Sequence, residues 1–370
     1  MELGARIRAL ALESGLSGFG ICEAAPFEDT VRDLEDAVAS GRSGKLKFTF
    51  ADPATSADPT RSFPWARRLL VGAHRYAADA GSPGPPTQGT GRVARFAEDD
   101  HYAPLRAVLG AIAAMLRAEG HRAEVLVDDN RLVDRAAAVR AGVGWWGKSS
   151  MVLVPGAGPW VLLGSVVTDA SLDVDSPMRR DCGTCDACIP ACPTGAIVAP
   201  GILDARRCLA HWAQAPGSIP TELREPMGDR VYGCDDCLEA CPPGHRAIAG
   251  GAAGRGRVDL LTLLGSDDQT LRTKYDRFYV PRNDVKYLRR NALVALGNSG
   301  GEDAVGVLAG FAAHRDPMLR EHAAWALGRI GGARAAAALR AAADAALGAA
   351  VDAGSAQESR VGASVSSSGA

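Results

Sequence analysis

Eight of the nine cysteines in this chain stand where they could bind metal. Cys182, Cys185, Cys188 and Cys192 follow the spacing C-x2-C-x2-C-x3-C, and Pro193 comes next. That is the bacterial ferredoxin run for a [4Fe–4S] cluster, whose fourth cysteine ligates the other cluster of a pair. A second run, Cys234, Cys237 and Cys241, reads C-x2-C-x3-C and is followed by Pro242 and Pro243. Cys208 stands alone between them and supplies the missing eighth ligand. A small buried hydrophobe is the other reading of Cys208. Crossing the last cysteine of each run assigns Cys182, Cys185, Cys188 and Cys241 to one cluster. Cys192, Cys208, Cys234 and Cys237 go to the other, so a loop of more than twenty residues must fold back. Zinc also takes C-x2-C pairs, but four closely spaced cysteines ending in Cys-Pro are unusual for it. Cys22 is left over, in an apolar stretch, and reads as core.

Clusters move electrons, so an acceptor is needed. The segment Val127 to Lys148 is the candidate. Arg131 to Arg140 can form a helix with Leu132, Ala136 and Val139 on one face, which turns Asp134 away from that stripe. Gly142, Gly144 and Gly147, with Trp145 and Lys148, make a loop able to approach a large flat ligand. The plain alternative is a helix, a glycine cap and exposed tryptophans, with Asp134 a surface carboxylate paired to Arg131 or Arg135.

The elements that must position these groups are legible in outline. The fold class is α+β, with residues 1–175 an α/β domain. Leu3, Ile7, Leu10 and Ala11 mark one helical face, and Leu105 to Leu116 another, opened by Pro104. Leu69–Ala73 and Glu124–Val127 read as strands. Met151–Val154 and Trp160–Thr168 read as a hairpin. Residues 80–91 read as a mobile Gly/Pro loop. Residues 176–250 form a ferredoxin-like domain, with a helix over Leu203–Gln214 and a linker over Gly244–Gly256. Beyond 258, Arg289, Ala292, Ala295, Leu296 and Gly297 recur as Arg320, Ala323, Ala326, Leu327 and Gly328. That is a HEAT-like repeat, carried to about 350, with a disordered tail over 351–370.

Net charge is −2 over 370 residues, so the chain as a whole is no polyanion binder. One patch is basic: Arg272, Lys274, Arg277, Arg282, Lys286, Arg289 and Arg290, interleaved with Tyr275, Phe278, Tyr279 and Tyr287. Phosphate contact with aromatic stacking is the functional reading, and a solvated helix face the plain one. No run is apolar enough to span a membrane, and the N-terminus lacks a signal-peptide pattern. Grouped rather than paired cysteines fit a reducing cytosol.

On these residues the chain resembles the epoxyqueuosine reductases over about residues 1–330. The resemblance rests on Val133-Asp134-Arg135, on Ala141 to Lys148, on the Cys182 to Gly195 run, on Asp204 to Cys208, and on Tyr232 to Cys237. It implies a cytoplasmic oxidoreductase of tRNA queuosine biosynthesis with two [4Fe–4S] clusters and cobalamin. The N-terminal domain would hold cobalamin through Val133, Asp134, Gly142, Gly144, Trp145, Gly147 and Lys148, with Asp134 the proton donor. Arg272, Lys274, Arg282, Lys286, Arg289 and Arg290 would contact tRNA. An external donor of flavodoxin or ferredoxin type would feed the clusters of a monomer away from any membrane. Departures exist. The family's Asp-Thr-x-Pro is here Asp128-Asp129-Asn130-Arg131, its Asp-Tyr-His is Asp100-His101-Tyr102, and the second run ends Cys241-Pro242-Pro243-Gly244. They leave two rivals open: a cobalamin and iron–sulfur reductase of a small molecule, and a ferredoxin-like carrier with a repeat module for docking.

Overall fold

The computed structural model describes residues 2–77, 87–249 and 256–345. In chain order its strands are β1 (Gly18–Glu23), β2 (Arg68–Arg75), β3 (Thr90–Val93), β4 (Ala123–Leu126), β5 (Trp145–Trp146) and β6 (Val152–Leu153). They continue with β7 (Val161–Thr168), β8 (Ile197–Ala199), β9 (Ile202–Leu203), β10 (Arg230–Tyr232) and β11 (Arg257–Asp259).

Strands β1, β2, β7 and β4 form one sheet in that order, antiparallel throughout. Period-2 alternation divides its side chains between two cores. Cys22, Leu69, Val71 and Val167 pack on one face, with Phe27, Leu34, Ala136 and Ala137. Ile21, Leu70 and Val166 pack on the other, with Ile7, Ala11, Leu105, Leu109 and Ile112. Helices Glu28–Ala39 and Asp134–Arg140 therefore cover one side, and Leu3–Glu13 and Tyr102–Ala118 the other. Burial on both faces explains why the strands read as near-continuous apolar runs.

The sequence expected β7 to pair with the segment before it. Instead β6 pairs with β5, through Trp145↔Leu153 and Trp146↔Val152, and only a Val154↔Gly158 bridge follows. Strand β7 is claimed by β2 along eight residue pairs, a longer and better buried ladder. The expected helix over Leu203–Gln214 is also divided. Asp204 accepts from the Arg206 N–H and starts a 3-10 turn, and the helix runs only over Leu209–Gln214. The expected linker begins late, because Pro242–Ile248 is a helix with proline in its first turn. Residues 80–86 of the expected Gly/Pro loop, and the tail, lie outside the described residues, but Gly91 sits within β3.

A second sheet has the order β10-β3-β11. Strand β3 pairs parallel with β10 and antiparallel with β11. It joins the N-terminal unit, the cysteine-bearing unit and the start of the helical unit. Its residues Val93, Val231 and Tyr232 enter the core of the helical repeats with Leu260, Leu293, Leu296 and Leu327. Helices Lys286–Ser299 and Pro317–Ile330 carry the two repeat copies, and Asp316 caps the second by accepting from Met318 N–H. A Cβ at Gly297 would lie 2.8 Å from Ala326 Cα, so this glycine lets the two helices touch. Among the described residues no helix is long and apolar enough to cross a membrane.

Candidate active site

The cysteines lie on short turns that point backbone N–H groups at sulfur. In the first run, Gly183 takes a positive φ, Asp181 Oδ1 accepts its N–H at 2.7 Å, and Cys185 N–H donates to Cys182 O at 3.0 Å. A helical turn, Cys188–Ala191, follows. Ala196 N–H donates to Cys192 Sγ at 3.2 Å. Burial pushes the Cys192 thiol up, but the N–H groups of Thr194 and Ala196 outweigh it and hold the thiol below its ordinary value. Cys208 precedes the helix Leu209–Gln214, and the N–H groups of His211 and Ala210 face its sulfur. Asp236 N–H faces Cys234, and Gly244 N–H faces Cys241. Such donors stabilise thiolates and tune cluster potentials.

Electrostatic neighbourhood sorts the thiols into two groups. Cys188 lies in the field of Cys241, Cys182 and Cys185. Cys237 lies in that of Cys234, Cys208 and Cys192. Among the described residues no three such ligands close on a point that would hold a single ion. Two loose quartets suit cluster-sized guests better than zinc. Burial pushes Cys234 up to about 12 and raises Cys237 and Cys208 as well.

Asp134 opens the helix Asp134–Arg140. The helix is anchored where Val133 N–H donates to Ser56 O at 3.0 Å and Ser56 Oγ donates to Asn130 O at 2.6 Å. The surface ion pair weighed for Asp134 is not formed. Arg131 pairs instead with Asp129 and Glu124, and Asp134 Oδ1 is buried without a hydrogen-bond partner. Burial raises the Asp134 carboxyl well above the usual carboxylate range, and Asp128 adds to the shift. Asp128, in the left-handed region at φ 53°, is itself raised by burial. The Tyr102 phenol is raised by burial and then by these two carboxylates, with the Arg106 guanidinium 5.2 Å from its ring.

Arg135 is the link to the cysteines. It lies deep among protein atoms and bears on Asp134, Cys237 and Tyr76. Its side chain is nonetheless exposed, so it fronts a recess rather than the outer surface. Tyr76 is half-buried beside Asp235 and Cys237. Sequence reasoning singled out none of Tyr76, Tyr102, Arg106, Asp128 or Arg135 as a site residue. Arg135 and Tyr102 stood there only inside the motifs Val133-Asp134-Arg135 and Asp100-His101-Tyr102, and Asp128 only as one of two adjacent carboxylates ahead of a third.

The glycines of the Gly/Trp loop sit close against the chain itself. A Cβ at Gly142, whose φ is 67°, would lie 2.4 Å from Ser176 O. One at Gly144 would lie 2.4 Å from Leu153 O, and one at Gly147 would lie 2.9 Å from Leu153 Cδ1. On the side a Cβ would occupy, these glycines let the chain pack on itself. Trp145 keeps a buried indole N–H without a partner, with Arg180 5.6 Å from its ring. Lys148 Nζ donates to Gly183 O at 2.8 Å, tying this loop to the first cysteine run. The orphaned Asp134 Oδ1 and Trp145 N–H and the recess before Arg135 fit a large polar-edged cofactor that would satisfy them.

The fold divides the basic patch between core and surface. Arg290 is fully buried and cannot contact a nucleic acid. It donates to Ala215 O and Trp212 O, each at 2.7 Å, and to Gly217 O and Asn291 Oδ1. Its guanidinium is lowered to about 9 by burial. Arg289 is held by Asp268 and Ser266 O, Arg272 by Asp268, and Lys286 by Asp284 and Asp316. Arg277 donates to Ala97 O and Glu98 O. Tyr275 and Phe278 are core, the latter stacked on Tyr232 at 4.2 Å. Arg272, Lys274, Arg277, Tyr279 and Arg282 remain exposed. Replacing Arg290 by Met is expected to cost about 3 kcal/mol in denaturant titration, since several carbonyls lose a buried charged donor. The folded fraction should bind RNA as before.

Residues 181–244 match the family described as 4Fe-4S double cluster binding domain, and residues 282–358 match HEAT repeats. The epoxyqueuosine reductase of Xanthomonas campestris pv. campestris is 33% identical over 353 residues, covering 89% of this chain and 97% of that protein. That of Bacillus cereus is 32% identical and covers 86% of each. A solved epoxyqueuosine reductase with an epoxyqueuosine-modified tRNA-Tyr stem loop superposes with a TM-score of 0.82 at 29% identity. It covers 92% of this chain and 93% of that one. With the two thiol quartets and the buried Asp134 Oδ1 in place, these relatives put the chain in the epoxyqueuosine reductase family.

Proposed function

We propose that this chain reduces epoxyqueuosine to queuosine at the wobble position of tRNA, with Asp134 as the proton donor. The observation that carries the reading is the Asp134 carboxyl, buried and unpartnered, next to an arginine that bears on Cys237. The reaction takes an epoxide to an alkene and water, and consumes two electrons and two protons. Cys182, Cys185, Cys188 and Cys241 would hold one [4Fe–4S] cluster, and Cys192, Cys208, Cys234 and Cys237 the other. When bound in the recess before Arg135, cobalamin supplies the redox-active cobalt through which those electrons reach substrate.

The chain's own residues do the rest. Burial raises the Asp134 carboxyl well above the usual carboxylate range, the direction that suits an acid that protonates a departing oxygen. Arg135 places a cation between that acid and the thiolates of the second quartet. Tyr102 keeps its proton and can orient the substrate by hydrogen bonding. We place the activity in the cytoplasm, on a monomer supplied by a flavodoxin- or ferredoxin-like donor.

The test is anaerobic reconstitution with iron, sulfide and cobalamin, then incubation with a reductant and an epoxyqueuosine-bearing stem loop. About eight irons and one corrinoid per chain, with the RNA losing one oxygen by mass spectrometry, is the expected result. Full cofactor loading with the RNA unchanged would sink the reading in favour of a small-molecule reductase. Clusters without a corrinoid would leave an electron carrier.

A further inference from the structure

Trp160 is the largest fully buried side chain among the described residues. It stands immediately before β7, at the end of the main sheet where Arg75 pairs with Val161. Tyr76 N–H donates to Trp160 O at 3.1 Å, so the sheet fixes its backbone. The Tyr76 ring meets the indole edge-on at 6.1 Å, and the Arg95 guanidinium lies 5.3 Å from it. From this frame the side chain crosses to the cysteine-bearing unit, where Trp160 Nε1 donates to Gly244 O at 2.8 Å.

Gly244 is the third residue after Cys241. Pro242 and Pro243 lie between, and neither has an N–H. Gly244 therefore carries the first backbone donor after this ligand, and that N–H faces the Cys241 sulfur. The next N–H, of His245, donates to Cys241 O at 2.7 Å instead. Cys192 is served differently, since one proline follows it and Ala196 N–H reaches its sulfur at 3.2 Å. The Gly244 peptide is also clasped. A Cβ on Gly244 would lie 2.2 Å from Leu238 O, and one on Gly158 would lie 2.9 Å from Gly244 N. These contacts fix where the backbone lies, and the indole bond to the carbonyl fixes how it is turned.

Hydrogen bonds to cluster sulfurs set reduction potentials, because an added electron makes sulfur more negative and a donor stabilises that charge. We propose that Trp160 is a positioning residue for the cluster of Cys182, Cys185, Cys188 and Cys241. It holds the Gly244 N–H on the Cys241 sulfur and so raises the reduction potential of that cluster alone. This rests on the cluster ligation in the reductase reading. It makes the first quartet easier to reduce through a side chain that touches neither its sulfurs nor the substrate.

The test is a redox titration of reconstituted holoenzyme, followed by electron paramagnetic resonance, on wild type, Trp160→Phe and Ile248→Val. Phenylalanine keeps an aromatic ring and removes the indole donor. Ile248 packs in the same small core, on the helix that carries Gly244, so its truncation loosens packing and leaves the indole bond in place. About eight irons per chain in all three shows that both clusters are loaded. In Trp160→Phe one midpoint should move to lower potential. At the wild-type midpoint its ratio of reduced to oxidised cluster should fall about three- to tenfold, where the full tenfold is 59 mV. The other midpoint should stay, and Ile248→Val should keep both wild-type midpoints while losing stability in denaturant. If phenylalanine leaves too large a void for loading, 3-benzothienylalanine placed at position 160 by nonsense suppression keeps the bicyclic shape without the N–H. It should show the same single displacement. Two wild-type midpoints in either fully loaded Trp160 variant would overturn the proposal. So would equal displacement of both midpoints, or the same displacement in Ile248→Val, since either is general loosening. Wild type that takes up no iron would remove the cluster reading itself, and the proposal with it.

Discussion

Replacing Asp134 by Asn is expected to lower turnover by a factor of about 100 to 10,000 while iron and corrinoid contents stay at wild-type levels. The substitution keeps the side chain's shape and removes only its transferable proton. The pH dependence should change with it. Burial raises the carboxyl, so the acid form persists to higher pH than in an ordinary aspartate. Wild-type turnover should therefore fall as the pH rises through the raised value, and the Asn variant should lack that alkaline limb. Stability follows the same sign. A group bound more tightly to its proton in the folded chain contributes stability that is complete below the unfolded pKa, near 4. That contribution is lost as the pH climbs through the folded value. At neutral and alkaline pH the Asn variant should thus be at least as stable as wild type. Turnover within a few-fold of wild type would remove Asp134 from the chemistry.

Cys241 and Cys182 should behave as members of one site, although they are far apart in sequence. Each single Ala variant should retain about four irons per chain after reconstitution, and so should the double variant Cys182→Ala/Cys241→Ala. The double variant Cys234→Ala/Cys241→Ala should retain close to none, since it strikes both sites. Ligation within each run would give the opposite pattern, with the Cys234/Cys241 pair costing only one cluster. Turnover with the stem loop should be lost in all four variants, because either gap breaks the electron path. The electrostatic grouping of Cys188 with Cys241, and of Cys237 with Cys192 and Cys208, is what makes the crossed outcome the expected one.

The cysteine runs were legible because a cluster site depends on local spacing that survives in one dimension. So were the main strands, whose apolar runs reflect burial on two faces. The pairing of β5 with β6 was not, because adjacency in sequence favoured a hairpin with β7 that lost to the longer β2 ladder. Glycines announced a close approach at 142, 144 and 147 but could not say to what, and in the direction a Cβ would take the neighbour is the chain itself. The arginine run misled for a related reason. A string of charges does not show which face of a helix each one takes, and Arg290 turned inward to the carbonyls of residues 212, 215 and 217. Asp128, Tyr102 and Arg135 acquire their meaning only from tertiary neighbours, which no spacing rule supplies.

The small sheet built on β3 bears on how the chain is made. Its central strand leaves the ribosome long before β10 and β11, its two partners, have been synthesised. Until then Thr90–Val93 exposes backbone on both edges, an invitation to mispairing that the nascent chain must survive. The main sheet, with all its strands within the first 168 residues, can close on its own. The cysteine-bearing segment is captured only when β10 docks, so metal has its easiest access before that late step. Supply of iron and sulfide during synthesis, rather than after release, would then govern the yield of active protein.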